Sequence, residues 1–379
     1  MVIGMSGANS WQQLARQGES GQAEPSPAFV RASPDREDRQ NMRATVLTAA
    51  AVGGALMVSL AACGSPQATG AGADAPVTLR LALNQTKEHP SYVALSGFDQ
   101  RLREATGGRY RIDVFPNEVL GAQQEILGLT GDGIIDLAVI SGTQLENIDQ
   151  DFRVFNLPRV FDSVAHQSKV INDPKIVGDL YTSLEASKHL TVLGGFTQGE
   201  RSLYTKKPVN TPADLAGKKI RVQESPVMLR MVTTMGGSPT PMSYGEVYTA
   251  MQAGVLDGAE NNEVSYFTQK HYEVAPHFTY TRHLVGLDYI VANTESLQKM
   301  APADRAIFDR EWTKTHQEFV VLWDKATKDA ITGATAAGAQ FHEIDTKPFD
   351  ERLEKMSESF LQNDNQRQLY RQAREAATS

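Results

Sequence analysis

Arg221 lies in Lys219-Ile-Arg-Val222, an extended run in which side chains two apart share a face, so Ile220 and Val222 look one way and Arg221 the other. An inward arginine is costly unless it meets an anion. Its planar fork matches a carboxylate through two parallel hydrogen bonds, which the point charge of lysine cannot reproduce. The anion is either a bound carboxylate or a protein acid such as Glu224. Other chemistry is scarce. The chain has no nucleophile-elbow G-x-S-x-G, no H-E-x-x-H and no P-loop, and its eight histidines include no pair at the i, i+4 spacing that chelates a metal on a helix. No catalytic residue, cofactor or metal site is therefore expected. Carboxylate pairs of the glycosidase kind stay open, because among so many acids any spacing occurs.

The totals point the same way. At 379 residues the chain suits two domains plus an appendage, at about 100 to 200 residues per domain. With 37 Lys and Arg against 45 Asp and Glu it carries a net charge of −8, which argues against nucleic acid as a partner but leaves room for a small anion held by a few buried cations. The single cysteine, Cys63, rules out an intramolecular disulfide framework. It closes Leu60-Ala-Ala-Cys63 after an uncharged run from Ala44 to Ala62 that follows Met42-Arg43. That is the pattern of a bacterial lipoprotein signal, with residues 42–62 removed and Cys63 acylated. The alternative is a membrane-spanning anchor, which needs about 20 residues. Residues 1–41 are polar and too long for a signal's basic region, so Met42 is the expected start, with a disordered extension as the alternative.

Residues 63–76 are small and rich in Gly and Pro, a flexible tether. The G-x-G-x-x pattern inside them has no strand before it or helix after it and is accidental. Beyond Val77 the patterns alternate. Strands are expected at Val77–Leu83, Arg111–Phe115, Asp136–Ile140, Leu190–Phe196, Lys219–Val222 and Asp288–Ala292. Helices are expected at Tyr92–Thr106, Gly121–Leu129, Pro226–Met235 and Tyr244–Ala253, with a helix start at Thr211-Pro-Ala-Asp-Leu215. Long helical patterns cover Ala303–Gly338 and Pro348–Ala376. Two α/β sets imply an α/β protein of two lobes with a cleft.

One stretch carries the most information, GGSPTPMSYGEVYTAMQAGVLDGAENNEVSYFTQKHYEVA from Gly236 to Ala275. It sets the polar cluster Asp257-Gly-Ala-Glu-Asn261-Asn262 behind an amphipathic helix and a Pro-punctuated turn. Together with Gly199-Glu-Arg201 and Ala216-Gly-Lys-Lys-Ile-Arg221-Val, it resembles the solute-binding proteins of TRAP (tripartite, ATP-independent) transporters, from Val77 to the end of the chain. The resemblance implies a periplasmic-binding-protein-like α/β fold of two mixed-sheet domains, with the cleft between them and a long helix spanning the hinge. Domain I would hold residues 77–198 and 287–326, and domain II residues 199–286 and 327–379. It also implies an exported chain that captures a carboxylate-bearing solute and hands it to a sodium-coupled permease. Arg221 becomes the carboxylate clamp, with Arg201 sharing the carboxylate, Asn261 from the D-G-x-E-N motif, and Tyr244 packing on the ligand body. Asn84, Ser141 and Gln223 follow as further contacts, the Ser141 position varying with ligand. Within the family, Glu260 to Tyr266, His271 to Ala275 and Arg-Val-Gln-Glu-Ser225 look most like members that bind hexuronates such as glucuronate or galacturonate. Tyr280 to Gly286 departs from that pattern. A C4-dicarboxylate or other organic acid is the alternative ligand; a secreted hydrolase of acidic sugars and a solute-sensing lipoprotein are the alternative functions.

Simpler roles stand beside these. Glu260 and Asn262 would cap turns, Tyr248 and Met251 would be core, Glu246 would brace the clamp or touch solute, and His89-Pro90 would line the cleft or begin a helix. His271, His277 and His283 fall on different faces, with His283 near the cleft.

Overall fold

Two long strands hold this protein together. The computed structural model describes residues 75–377, so the signal pattern, Cys63 and most of the tether lie outside the described residues. The strands are β1 Val77–Ala82, β2 Tyr110–Phe115, β3 Leu137–Ser141, β4 Leu190–Thr205, β5 Lys219–Val222, β6 Ser238–Pro241, β7 Gly258–Asn261, β8 His277–Asn293 and β9 Gln340–Glu343. The helices are α1 Pro90–Ala105, α2 Gln123–Gly131, α3 Gly142–Leu145, α4 Val164–Ile171, α5 Pro174–Thr182, α6 Glu185–Lys188, α7 Pro226–Met235, α8 Val247–Gln252, α9 Glu263–Thr268, α10 Thr294–Gln298, α11 Pro302–Ala336, α12 Lys347–Leu353, α13 Met356–Phe360 and α14 Asp364–Glu375.

The nine strands of the described residues form one mixed sheet in the order β2-β1-β3-β8-β4-β7-β5-β6, with β9 added to β8. β4 and β8 pair antiparallel from Leu190↔Asn293 to Thr205↔His277. β3 pairs with the Asp288–Ala292 end of β8, and β7 with the Ser202–Thr205 end of β4. Each end of the ribbon thus carries its own half-sheet. The sequence pattern sees only the apolar thirds of these strands, Leu190–Phe196 and Asp288–Ala292. The register shifts around Val192/Gly194, Thr197/Glu200 and Arg201/Leu203 place polar residues where alternation breaks down.

The long helix α11 runs over this ribbon. Phe308 meets Phe98 of α1 at a centroid distance of 5.0 Å, and Phe319 stacks on Phe196 of β4 at 3.9 Å with the rings 8° from parallel. Trp323 sits so close to the Gly199 backbone that a Cβ there would lie 2.9 Å from its ring. Further on, Gly333 leaves room for Phe267 of α9. The burial of one helical stripe from Phe308 to Ala334 explains the sustained 3.6-residue pattern.

α7 shows why local signals work. Ser225 accepts from Met228 N–H as N-cap, Pro226 opens the first turn, and Gly236 ends the helix at φ 111°. Elsewhere longer-range packing overrides the local pattern. Pro348–Ala376 is three helices, because Asn363 caps a new start by accepting from Gln366 N–H. The helix expected at Tyr244 is a 3-10 turn, Tyr244–Glu246, before α8, and Thr211–Leu215 yields only the 3-10 turn Pro212–Leu215. The Pro-punctuated turn is in part the edge strand β6, paired through Lys219↔Ser238 to Val222↔Pro241, a place where proline is tolerated.

Candidate functional site

The sheet topology gathers the expected site residues. Asn84 follows β1, Ser141 ends β3, Gln223 follows β5 and Asn261 ends β7, so four of them sit at or just beyond carboxyl ends of strands, where open α/β sheets bind ligands. Contacts tie the two half-sheets together at this level. Ser141 Oγ donates to Gln223 Oε1 at 3.3 Å, and Asn147 Nδ2 to the Glu224 carbonyl at 2.8 Å. Glu146 accepts from Ser225 Oγ at 2.5 Å, and Glu118 from Gly245 N–H at 2.9 Å. Asn84, Glu118, Gln123, Gln144, Arg221, Gln223 and Tyr244 line a cavity of about 20 Å³. That is room for a water, so a larger guest requires the walls to part.

Arg221 is 3% exposed. Its Nε and Nη2 both donate to the Met242 carbonyl, at 2.9 and 2.7 Å, and its guanidinium stands 5.5 Å from the centre of the Tyr244 ring. Glu224 does not pair with it. Among the described residues no carboxylate oxygen comes within ion-pair distance of Arg221. Burial, with Arg201 adding to it, pulls its pKa below the usual arginine value.

Arg201 is placed differently. It forms a two-pronged pair with Glu260, Nε to Oε2 at 2.6 Å and Nη2 to Oε1 at 2.7 Å, and donates through Nη2 to the Glu260 carbonyl at 2.9 Å and through Nη1 to Asn261 Oδ1 at 2.8 Å. Glu260 therefore caps no turn. It lies on β7, fully buried, with His283 Nε2 3.4 Å from Oε2. Burial alone would raise its pKa, but Arg201 and His283 pull it down to about 2. Asn261 Oδ1 also accepts from Asn262 N–H, and its Nδ2 reaches toward Tyr244 Oη at 3.5 Å. Burial, partly offset by the charges of Arg221 and Arg201, pushes the Tyr244 phenol up to about 12.

The remaining expectations divide. Asn262 does cap, accepting from Ser265 N–H at the start of α9. Met251 is core, whereas Tyr248 is only partly buried and donates to Glu273. Glu246 accepts from Ser243 Oγ and does not bond to the clamp. His89 begins α1 as its N-cap and stays buried, its ring 5.8 Å from Trp323 and its pKa lowered to about 3 by burial.

Glu118, Gln123, Gln144 and Asp288 are not singled out by the sequence. Glu118 has φ 55°, a left-handed loop position beside Pro116-Asn117. Asp288 opens the apolar strand Asp288–Ala292, and a carboxylate at that point in an apolar run is the signal that marks it. It is 4% exposed, and among the described residues no donor bonds to its carboxylate. Burial raises its pKa to about 7, Arg201 drawing it partly back. The described residues include no group of three or more His, Cys, Asp or Glu able to hold a metal, and no helix long and apolar enough to cross a membrane.

Residues 81–364 match the family model for DctP, bacterial extracellular solute-binding protein, family 7. The chain belongs to that family. A TRAP periplasmic solute-binding protein from Anaerococcus prevotii with bound α/β-D-glucuronate matches with a TM-score of 0.77 and 35% identity, covering 79% of this chain and 97% of that one. One from Xanthobacter autotrophicus with bound β-D-galacturonate matches with a TM-score of 0.74 and 28% identity, covering 78% and 98%. The C4-dicarboxylate-binding periplasmic protein DctP of Vibrio cholerae is 30% identical over 59% of this chain and 66% of its own length. This TRAP solute-binding protein thus has the fold of a two-lobed binder of small organic acids that works with a membrane permease.

Proposed function

We propose that this TRAP solute-binding protein captures a hexuronate such as D-glucuronate or D-galacturonate, with Arg221 as its carboxylate clamp. One observation carries the reading: among the described residues Arg221 is buried without a carboxylate partner, while Arg201 is already neutralised by Glu260. One open buried cation among the described site residues suits a monocarboxylate. A C4-dicarboxylate would need a second, and the charge of Arg201 is already met by Glu260. Asn84, Ser141, Gln223, Asn261 and Tyr244 offer amide and hydroxyl partners for sugar hydroxyls. Bound glucuronate and galacturonate in the relatives above support the same class.

Capture would require residues 77–198 with 287–326 to move against 199–286 with 327–379, bending β4 and β8. The ligand favours the closed arrangement only through contacts it makes better there. Cys63 would carry the lipid tether that keeps the protein beside a sodium-coupled permease. Unchanged membrane association of Cys63→Ser would remove that part of the proposal.

Calorimetry tests the clamp. Wild type should bind D-glucuronate or D-galacturonate, and Arg221→Ala should weaken binding by about 2 to 5 kcal/mol, with Arg221→Lys recovering only part. A response to succinate or malate and none to either uronate would reject the hexuronate reading. Undiminished affinity in Arg221→Ala would reject the clamp.

A further inference from the structure

Asp288 is a second unmet group in the same sheet. It sits in the centre of the sheet, opposite Ser141 on β3 and opposite Phe196 on β4. Directly opposed residues of antiparallel strands share a face, so Asp288 lies on the face of Ser141. Its charge reaches both Arg201 and Tyr244, and the Tyr244 ring in turn lies beside the Arg221 guanidinium. Yet among the described residues no donor bonds to its carboxylate. The charged groups around it are committed elsewhere: Arg201 and His283 to Glu260, Arg221 to the Met242 carbonyl.

A carboxylate in a residue only 4% exposed, with no protein donor, is costly to keep ionised. Here, among the described residues, a buried cation without an anion on β5 and a carboxylate without a donor on β8 belong to one sheet and do not pair with each other. Unmatched neighbours add to the set: Asn84 Oδ1 lacks a donor, and Gln123 Nε2 and Gln198 Nε2 lack acceptors. A molecule that completes all of these carries a carboxylate at one end and hydroxyls, able both to donate and to accept, at the other. A simple dicarboxylate does not, since its distal charge would face Asp288.

We propose that Asp288 accepts a hydrogen bond from a hydroxyl of the ligand whose carboxylate meets Arg221, and that it thereby selects hydroxy acids against dicarboxylates. The inference rests on the clamp reading above. It adds a specificity residue that acts through the ligand's hydroxyl face.

The test is calorimetry at pH 8, where Asp288 is largely ionised, on wild type, Asp288→Asn and Arg221→Ala. The probes are D-glucuronate, D-galacturonate, cyclohexanecarboxylate as a ring acid without hydroxyls, and succinate. Asp288→Asn should weaken the uronate that wild type prefers by about 10- to 100-fold. Cyclohexanecarboxylate should be unaffected and succinate bound more tightly. Equal losses for hydroxylated and hydroxyl-free acids would mean a merely structural residue and overturn the inference. So would uronate affinity unchanged in Asp288→Asn but lost in Arg221→Ala, which leaves the clamp standing. A wild type that binds neither uronate overturns both readings. Asparagine removes a buried charge at nearly constant shape, so this variant should melt no lower than wild type. If it does melt lower, Asp288→Ser is judged by the same ratio of uronate to cyclohexanecarboxylate affinity.

Discussion

Glu260→Gln separates the structural from the binding role of the paired arginine. Glu260 is fully buried, Arg201 is 5% exposed, and the two share bonds of 2.6 and 2.7 Å. Glutamine keeps the shape but offers one acceptor in place of two, and its amide nitrogen must face an arginine N–H. Leaving a buried charge without its partner costs about 3 to 5 kcal/mol. For a folded unit of about 300 residues the unfolding entropy is about 0.6 kcal/mol per degree, so melting should fall by about 5 to 8 °C. The lost charge also changes the site. With Arg201 unneutralised beside Arg221, an anionic ligand restores what the mutation removed, so saturating uronate should raise the melting temperature more in Glu260→Gln than in wild type. Thermal unfolding by circular dichroism, with and without ligand, reads both effects. A variant that melts within about 1 °C of wild type would refute the argument that this pair is a buried structural neutralisation.

Gly258→Ala should be severely destabilising, by about 3 kcal/mol or more, because its Cβ would lie 2.2 Å from the Tyr204 carbonyl oxygen of the neighbouring strand; urea unfolding measures it. His271 is buried, and burial with Arg221 nearby lowers its pKa from 6.5 to about 3. The unfolded chain therefore takes up a proton that the folded one refuses, and this residue's contribution is lost as pH falls from 6.5 toward 3. Relative to His271→Gln, wild type should be about 2 kcal/mol less favoured at pH 5 than at pH 7. Urea titrations that keep the same gap at both pH values would show that His271 is protonated in the fold.

What the sequence shows follows from how local each cause is. The bounds of α7 are written in Ser225, Pro226 and Gly236, each acting within its own turn. Arg221 is legible as an inward cation because alternation in a four-residue strand suffices. Its lack of an acid is not, since that depends on where every other carboxylate ends up. The same holds for Arg201. Its partner Glu260 sits in Gly-Ala-Glu-Asn, a polar run that becomes a buried strand only because β4 and β5 flank it. β4 and β8 look short in sequence because Gly199, at φ 59°, and the bulges around it admit polar residues into strands that continue past them.

The shared ribbon also sets the order in which the chain can fold. β3 has no antiparallel neighbour until Asp288–Ala292 arrives, about 150 residues later, and β7 needs β4 from across the α7 region. Closing loops of that length before any contact rewards them makes folding slow. A nascent or truncated chain ending before β8 would display the open edge of β3, a template for aberrant pairing. Neither lobe can be cut out as a self-standing fragment, because each half-sheet ends on a strand that the other half also needs. The binding unit therefore gains its structure late and as a whole.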